Sequence, residues 1–316
     1  MLKDHIPAIL QNEELNIVGV VEPNSAIAEK TAKELGIPAY SSISDIKDFS
    51  GINLAIVCVP HNQYLPILKV LAENRVATLK EKPLGMTLNE AKEIVDLYKK
   101  NNTFLQICVQ RRFSKLYDTA KELLNRIGNI YSLYAEYTLN LKSMSPETQG
   151  WRADVKISGG GAALDLGYHT IDLLTYLFGT PDIIYAKLNY NSLSNDYTID
   201  DTLKAMMTYD NGRINGNILT TKIFLRKGER IRIFGSKGAV YLDNRKVTLF
   251  DRDLKELEIH QFTSKDGEVE SQLKHFVDKA SAGFRYDSNL KDQMTDMRVI
   301  DAIYKSDRTG ESVRLR

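Results

Sequence analysis

The sequence predicts an α/β protein: a doubly wound parallel sheet in the first third, then an α+β unit on an open, largely antiparallel mixed sheet. Three observations carry this reading. Between residues 15 and 109, short β-rich apolar runs alternate with helical stretches, the pattern of parallel βαβ units. Between 183 and 242, strand-like runs follow one another through turn-forming residues, and two helical stretches come after them. A length of 316 residues suits two domains, each able to bury its own core. The boundary is expected at 109/110, giving domains 1–109 and 110–316.

In order, Leu15–Glu22 reads as a strand that ends in an acid before Pro23. Ser25–Leu35 is a helix stopped by Gly36 and Pro38. A short strand at Ala39–Tyr40 and a helical turn within Ser44–Phe49 follow. Leu54–Val59 is a continuous apolar run, as in a strand covered on both faces. Tyr64–Asn74 is helical, Arg75–Lys80 is a strand leading into Glu81-Lys82-Pro83, Leu88–Asn101 is a helix, and Phe104–Val109 is a strand. In the second half, Ser114–Arg126 is a helix and Ile130–Leu141 a long strand, with a loop over 142–151. Strands are expected at Ile183–Tyr190, Thr202–Tyr209, Arg213–Thr221, Arg230–Phe234 and Val240–Leu242, and helices at Glu268–Ala282 and Leu290–Lys305.

Composition narrows the function classes. There are 42 Lys+Arg against 41 Asp+Glu, so no global field favours a nucleic acid or an anionic membrane. No stretch interleaves clustered basic residues with aromatics, which argues against nucleic-acid binding. No apolar run approaches the ~18 residues needed to span a bilayer. The opening MLKDHIPAIL lacks the apolar core of a signal peptide. Cys58 and Cys108 lie in apolar strand-like runs, read as reduced core residues of a cytoplasmic protein, and no Cys/His spacing suggests a metal site.

The stretch Ser158–Gly179 concentrates the chemistry. Read at 100° per residue it is a helix entered through three glycines, with Asp165, His169, Asp172 and Tyr176 on one stripe. The rest of its circumference is apolar, so the helix is expected to be buried. Its stripe must then face a cleft or carry its own partners. The glycine triplet is read as room for close approach of cofactor and substrate. In the sheet of the first half, ligands are expected beyond the carboxyl ends of the strands, where Glu22, Val59-Pro60 and Glu81-Lys82-Pro83 stand. An acid in the position of Glu22 commonly accepts from adenine ribose hydroxyls, which favours NAD over NADP. The strand and G-x-G-x-x-G turn that should open such a fold are not found ahead of Asp4. Loss of that strand would remove ladder partners on both sides and the pyrophosphate cradle.

Taken together, Glu81-Lys82-Pro83-Leu84-Gly85, Arg111-Arg112-Phe113, Trp151-Arg152 and the glycine triplet followed by Asp165-x-Gly167-x-His169-x-x-Asp172 make the whole chain resemble the Gfo/Idh/MocA oxidoreductases. The resemblance implies a Rossmann-like NAD(P)-binding domain, N-terminally short here, and a C-terminal α/β domain for substrate and oligomerisation. It implies a catalytic group of Lys82, Asp165 and His169. It also implies cofactor contacts from Glu22, Pro60, Glu81, Lys82, Pro83, Trp151 and Arg152, with Trp151-Arg152 at the nicotinamide end, and no metal. Val59-Pro60-His61-Asn62-Gln63-Tyr64 departs from the family, which often has Thr-Pro and a His where Tyr64 stands. By the same likeness the open sheet face packs against another subunit in a homodimer or homotetramer.

The expected reaction is hydride transfer between a secondary alcohol of a sugar, sugar derivative or cyclitol and NAD, with NADP as the other possible cofactor. His169 is the expected general base, and Lys82 is expected to stabilise charge on the substrate oxygen. Asp165 would orient the imidazole or hold Lys82. Asp172 and Arg152 are further substrate-binding candidates, each with a plain structural role as the alternative. The competing reading is a non-catalytic, cofactor-deficient ligand-binding paralogue or a truncated gene product. The missing glycine turn favours it; the intact Lys82, Asp165 and His169 favour the enzyme.

Overall fold

The computed structural model describes residues 2–141, 150–190, 197–263, 267–283 and 288–315. The part of the expected loop at 142–149 lies outside them. The chain opens on helix α1 (Leu2–Leu10), which carries Pro7 inside it and which the sequence pattern does not announce. Its buried face bears His5 and Ala8, four and three residues apart from Ile9 and His5, so they stack on one side.

The expected parallel sheet is present in two pieces. Strands β1 (Val20–Val21) and β2 (Ala39–Tyr40) pair in parallel, with helix α2 (Ser25–Leu35) between them. Strands β3 (Leu54–Val57), β4 (Ala77–Glu81) and β5 (Leu105–Cys108) form a second parallel ladder in that order. Their crossovers are helices α3 (Tyr64–Glu73) and α4 (Leu88–Lys100). The long strand expected at Leu15–Glu22 shrinks to two residues. Its ladder partner β2 is only two residues long, and its other edge pairs with no strand among the described residues.

Beyond Cys108, helix α5 (Lys115–Leu124) precedes a nine-stranded sheet ordered β13-β12-β11-β10-β6-β9-β8-β7-β14. Its strands are β6 (Ile130–Asn140), β7 (Ile183–Tyr190), β8 (Asp200–Tyr209), β9 (Ile214–Thr221), β10 (Ile223–Gly235), β11 (Gly238–Asp243), β12 (Lys246–Phe250), β13 (Glu256–Gln261) and β14 (Val313–Arg314). All neighbours are antiparallel except β6 and β9. The Asp210-Asn211-Gly212 turn works because all three residues take positive φ, conformations that Asn, Asp and Gly tolerate best. Strands β12, β13 and β14 were not expected from the sequence, and β10 begins seven residues before its expected start at Arg230. The alternation of Glu256–Gln261 is almost wholly exposed, so apolar patterning cannot reveal it.

Helices α6 (Tyr168–Phe178) and α8 (Ser288–Thr309) cover one sheet face with Leu173, Leu174, Ile184, Ala186, Leu203, Ile300 and Ile303 in a common core. Helix α7 (Glu268–Ser281) turns back to the first half. There Leu273, Phe276 and Val277 meet Leu79, Phe104, Cys108 and Ala8. The opposite face of the nine-stranded sheet is open, with Tyr134, Tyr185 and Met206 among Lys187, Lys204, Arg230 and Arg232.

Candidate functional site

The expected single helix over Ser158–Gly179 is three pieces. Val155–Ser158 forms one helical turn, Gly159 takes a left-handed φ of 78°, Ala162–Leu166 forms a π-turn, and α6 follows. The π-turn adds a residue to the local repeat, so Asp165 leaves the stripe that His169 and Asp172 would share in a regular helix. The turn is anchored by the buried carboxylate of Asp200, which accepts from the backbone N–H of Gly161 (2.8 Å) and of Ala163 (2.6 Å), and from the Tyr304 hydroxyl (2.9 Å).

The glycine triplet is not room for ligands. A Cβ on Gly161 would lie 2.0 Å from the Asp200 carbonyl oxygen, and one on Gly160 would lie 2.1 Å from the Tyr304 hydroxyl. The close approach is of protein on protein, seating the π-turn on β8 and α8.

Asp165 is the hub of the cleft. Lys82, one residue beyond β4, donates through Nζ to Asp165 Oδ1 at 2.8 Å and to its backbone carbonyl at 2.7 Å. An ammonium has three N–H donors, so one is left for a ligand. Lys222, between β9 and β10 and 1% exposed, donates to Asp165 Oδ2 at 2.9 Å. Burial alone would raise the Asp165 pKa; the two ammoniums, Lys222 and then Lys82, outweigh it and hold the carboxyl well below its usual range. Lys222 has no signal in the sequence. It is one lysine of many, and only the return of β9 to the strand beside β6 brings it here.

The backbone that presents Lys82 is tied down on several sides. The Lys82–Pro83 peptide is cis. Buried Tyr64 donates to the Lys82 carbonyl at 3.2 Å, and Leu84 N–H reaches the Tyr168 hydroxyl at 3.4 Å. Fully buried Lys80 donates to the carbonyls of Glu81 (2.8 Å) and Pro83, and its Nζ lies 3.4 Å from the centre of the Tyr64 ring. The departure from the family at Tyr64 therefore has a task within the fold.

His169 stands edge-on to Tyr137, with ring centres 6.2 Å apart. Burial first, then the positive charges of Arg111 and Lys82, push its pKa well below the usual value, so the imidazole is neutral at neutral pH. Arg111 itself pairs with Glu229 and lies 4.8 Å over the Tyr137 ring. No hydrogen bond joins Asp165 to His169; the carboxylate holds Lys82 instead. A second imidazole, His61, meets Trp151 edge-on at 4.7 Å. Its Nδ1 lies 2.6 Å from the Ser158 carbonyl, which only accepts, so Nδ1 carries the proton and Nε2 is an acceptor. Burial lowers the His61 pKa to about 3. Arg152 lies over Trp151 at 4.3 Å, with its Nε 3.9 Å from Asp165 Oδ2.

The structure thus brings Lys82, Asp165, Arg152 and Trp151 together, with His169 and His61 acting electrically on the same carboxylate and ammonium. It takes Asp172 elsewhere. That carboxylate is 2% exposed, 2.8 Å from Arg112 Nη2, and accepts from Gln293 at 2.7 Å, so it is committed to a buried network and not to substrate. Glu81 turns to His5 of α1, 3.0 Å away. Glu22 is half-buried one residue beyond β1, accepting from Asn24 N–H at 2.9 Å, and Pro60 opens the turn His61–Gln63.

Against known families, residues 1–108 match the oxidoreductase family's NAD-binding Rossmann fold, and residues 121–315 match its C-terminal alpha/beta domain. The chain belongs to the Gfo/Idh/MocA oxidoreductase family. Among curated members, an uncharacterized oxidoreductase of Schizosaccharomyces pombe is 27% identical over 64% of this chain and 56% of its own length. D-xylose 1-dehydrogenase (NADP(+)) 2 of Haloferax volcanii is 24% identical over 99% of this chain and 96% of its own. Among solved structures, levoglucosan dehydrogenase in complex with NADH and levoglucosan superposes with a TM-score of 0.83, covering 94% of this chain and 90% of its own at 19% identity.

The family's cofactor can be weighed against residues present here. Lys82, Trp151 and two neutral imidazoles gather near Asp165, donor and flat apolar groups of the kind a nicotinamide ring beside a hydroxyl substrate would need. Half-buried Glu22 keeps acceptor capacity of the kind ribose hydroxyls would need. Among the described residues no glycine-rich turn follows a strand at the head of the first ladder. None of the described helices is long and apolar enough to cross a membrane.

Proposed function

We propose that this oxidoreductase transfers a hydride between a secondary alcohol of a sugar, sugar derivative or cyclitol and a nicotinamide cofactor, NAD in the first place and NADP as the alternative. One observation carries the reading: a lysine ammonium held by two hydrogen bonds to Asp165, with no third partner among the described residues, near a neutral imidazole. When bound, the nicotinamide supplies the hydride acceptor.

This chain's own residues do the rest. Lys82 directs its remaining N–H to the substrate oxygen and stabilises the negative charge that grows there as the proton leaves. His169, neutral in the resting site, accepts that proton. Asp165 positions Lys82, and Lys222 keeps Asp165 ionised so that the ammonium stays put. Trp151 and Arg152 wall the nicotinamide side, Glu22 receives the adenosine ribose, and Pro60 and Pro83 shape the strand-end turns beneath the cofactor. The sugar reading is supported by the names of relatives, a xylose dehydrogenase and a levoglucosan dehydrogenase. The first names NADP and the second contains NADH, which keeps both cofactors in view.

The open sheet face, with Tyr134, Tyr185 and Met206 among basic residues, is the surface through which a homodimer or homotetramer forms. A cytoplasmic location agrees with the two free cysteines. The test is titration of the full chain with NADH and NADPH, followed by turnover on a panel of aldoses and cyclitols. Micromolar binding of one cofactor with turnover of a polyol is expected. Failure to bind either cofactor would favour the non-catalytic paralogue.

A further inference from the structure

Both cysteines of the chain flank one carboxylate, Glu81, on the side of the first-half sheet that α1 covers. Register explains how. Val57 of β3 is paired with Lys80 of β4, and Glu81 with Cys108 of β5. Cys58, the residue after Val57, therefore flanks Glu81 on one side as Cys108 does on the other. Neighbours in register on parallel strands point to the same face of the sheet. That face is covered by α1, whose His5 reaches Glu81 Oε1 through Nε2 at 3.0 Å. One ligand atom each from His5, Cys58 and Glu81 lies within 4.8 Å of the other two. The three come from three different elements, which is why no Cys/His spacing betrays them in the sequence.

The cluster has the chemistry of a metal site more than of a core. An imidazole, a thiol and a carboxylate are the donors zinc takes, at about 2.0–2.3 Å each, so that ligand atoms in a tetrahedral set lie about 3.3–3.7 Å apart. Reaching that from 4.8 Å or less takes a small side-chain shift. A thiolate with an imidazole selects a zinc-class ion over magnesium or calcium. His5 is 2% exposed and its Nδ1 has no hydrogen-bond partner, so the pairing with Glu81 leaves the ring half satisfied. Cys58 is only partly buried and gives an ion a way in. Burial, with the Glu81 charge adding to it, pushes the Cys58 thiol up to about 12, which a divalent ion would reverse. Cys108, paired in register with Glu81, stands on the far side of the carboxylate.

We propose that His5, Cys58 and Glu81 form a binding site for one zinc-class divalent ion, which clamps α1 onto the strand ends immediately before Lys82. Binding exchanges the Cys58 thiol proton for the metal, so the thiolate and the carboxylate together balance its two charges. One proton is released per ion, and affinity rises with pH.

The experiment strips the full chain with a chelator and titrates it with Co2+, then displaces the cobalt with Zn2+. One Co2+ per chain is expected, with a thiolate-to-cobalt charge-transfer absorption that Zn2+ removes. Cys58→Ser should abolish that absorption, and His5→Gln should weaken binding at least tenfold. Cys108→Ser should keep both the band and the stoichiometry. Circular dichroism melts of each variant confirm that it is folded. The proposal is overturned if the wild-type chain shows no sulfur-to-cobalt band, or if the band survives in folded Cys58→Ser.

Discussion

Two buried acidic centres, seven residues apart along the same stretch, behave in opposite ways. Around Asp165 one carboxylate meets two ammoniums, and the acid is held ionised well below its usual range. Around Asp172 the ratio is reversed. Asp172 and Asp296 share the single guanidinium of Arg112, at 2.8 and 4.0 Å, and burial together with Asp172 pushes the Asp296 carboxyl up well above its usual range. The first centre has surplus positive charge and an unused N–H at a cleft. The second is closed on itself by Gln293, Thr175 and Asp292. Counting cations against carboxylates separates a site that can act on a ligand from one that holds helices α6 and α8 together.

If that division is right, substitutions should sort by centre. Arg112→Met leaves two buried acids without their cation and is expected to lower unfolding free energy by about 3–5 kcal/mol, while folded enzyme keeps its turnover. Denaturant melts and assays below the melting point check both halves; a large loss of kcat in well-folded protein would break the comparison. Lys82→Ala and His169→Ala should do the reverse, lowering kcat by about 100-fold or more, at least ~2.7 kcal/mol in the barrier, with melting temperatures close to wild type. Near-normal turnover in both would remove the assignment.

An effect of about 2 kcal/mol is expected from His61 on acidification. Its folded pKa of about 3 lies below the unfolded value of about 6.5. The stability it contributes is therefore whole above pH 6.5 and is lost as pH falls toward 3, reaching about 2 kcal/mol of loss at pH 5. His61→Asn should flatten the stability profile between pH 6.5 and 5, as read by urea unfolding. The smallest effect belongs to Lys222→Met, which leaves Asp165 to Lys82 alone. We expect roughly tenfold lower kcat/KM, about 1.4 kcal/mol, with the kcat pH profile displaced because Asp165 protonates more readily.

What the sequence shows and hides follows from the range of the interactions. The βα alternation, the helix over Tyr168–Phe178 and the strands at Ile183–Tyr190 and Thr202–Tyr209 are legible because local apolar periodicity encodes them. The Lys82 and Asp165 pair is legible through motif. The π-turn is not, since an added residue per turn leaves the composition of Ala162–Leu166 looking helical, and the stripe drawn through Asp165, His169 and Asp172 therefore misplaces one member. Lys222 and Asp200 are invisible for another reason. Each owes its position to a strand or helix that returns from 20 or more residues away, and nothing in its own neighbourhood marks it. Helix α1 tolerates Pro7 because a proline in the second turn of so short a helix removes few hydrogen bonds.

The parallel pairing of β6 with β9, inside an otherwise antiparallel sheet, bears on the order of events during folding. Parallel neighbours cannot be joined by a hairpin, so the chain between β6 and β9, which carries α6, β7 and β8, must be made before that ladder can close. Trp151, Asp165 and His169 all lie within this stretch, and Lys222 arrives only with the strand that ends it. Long-range closures of this kind are slow because chain entropy is lost before contacts repay it. During synthesis the cluster of Lys82, Asp165 and Lys222 therefore has no complete form until β9 has emerged and docked.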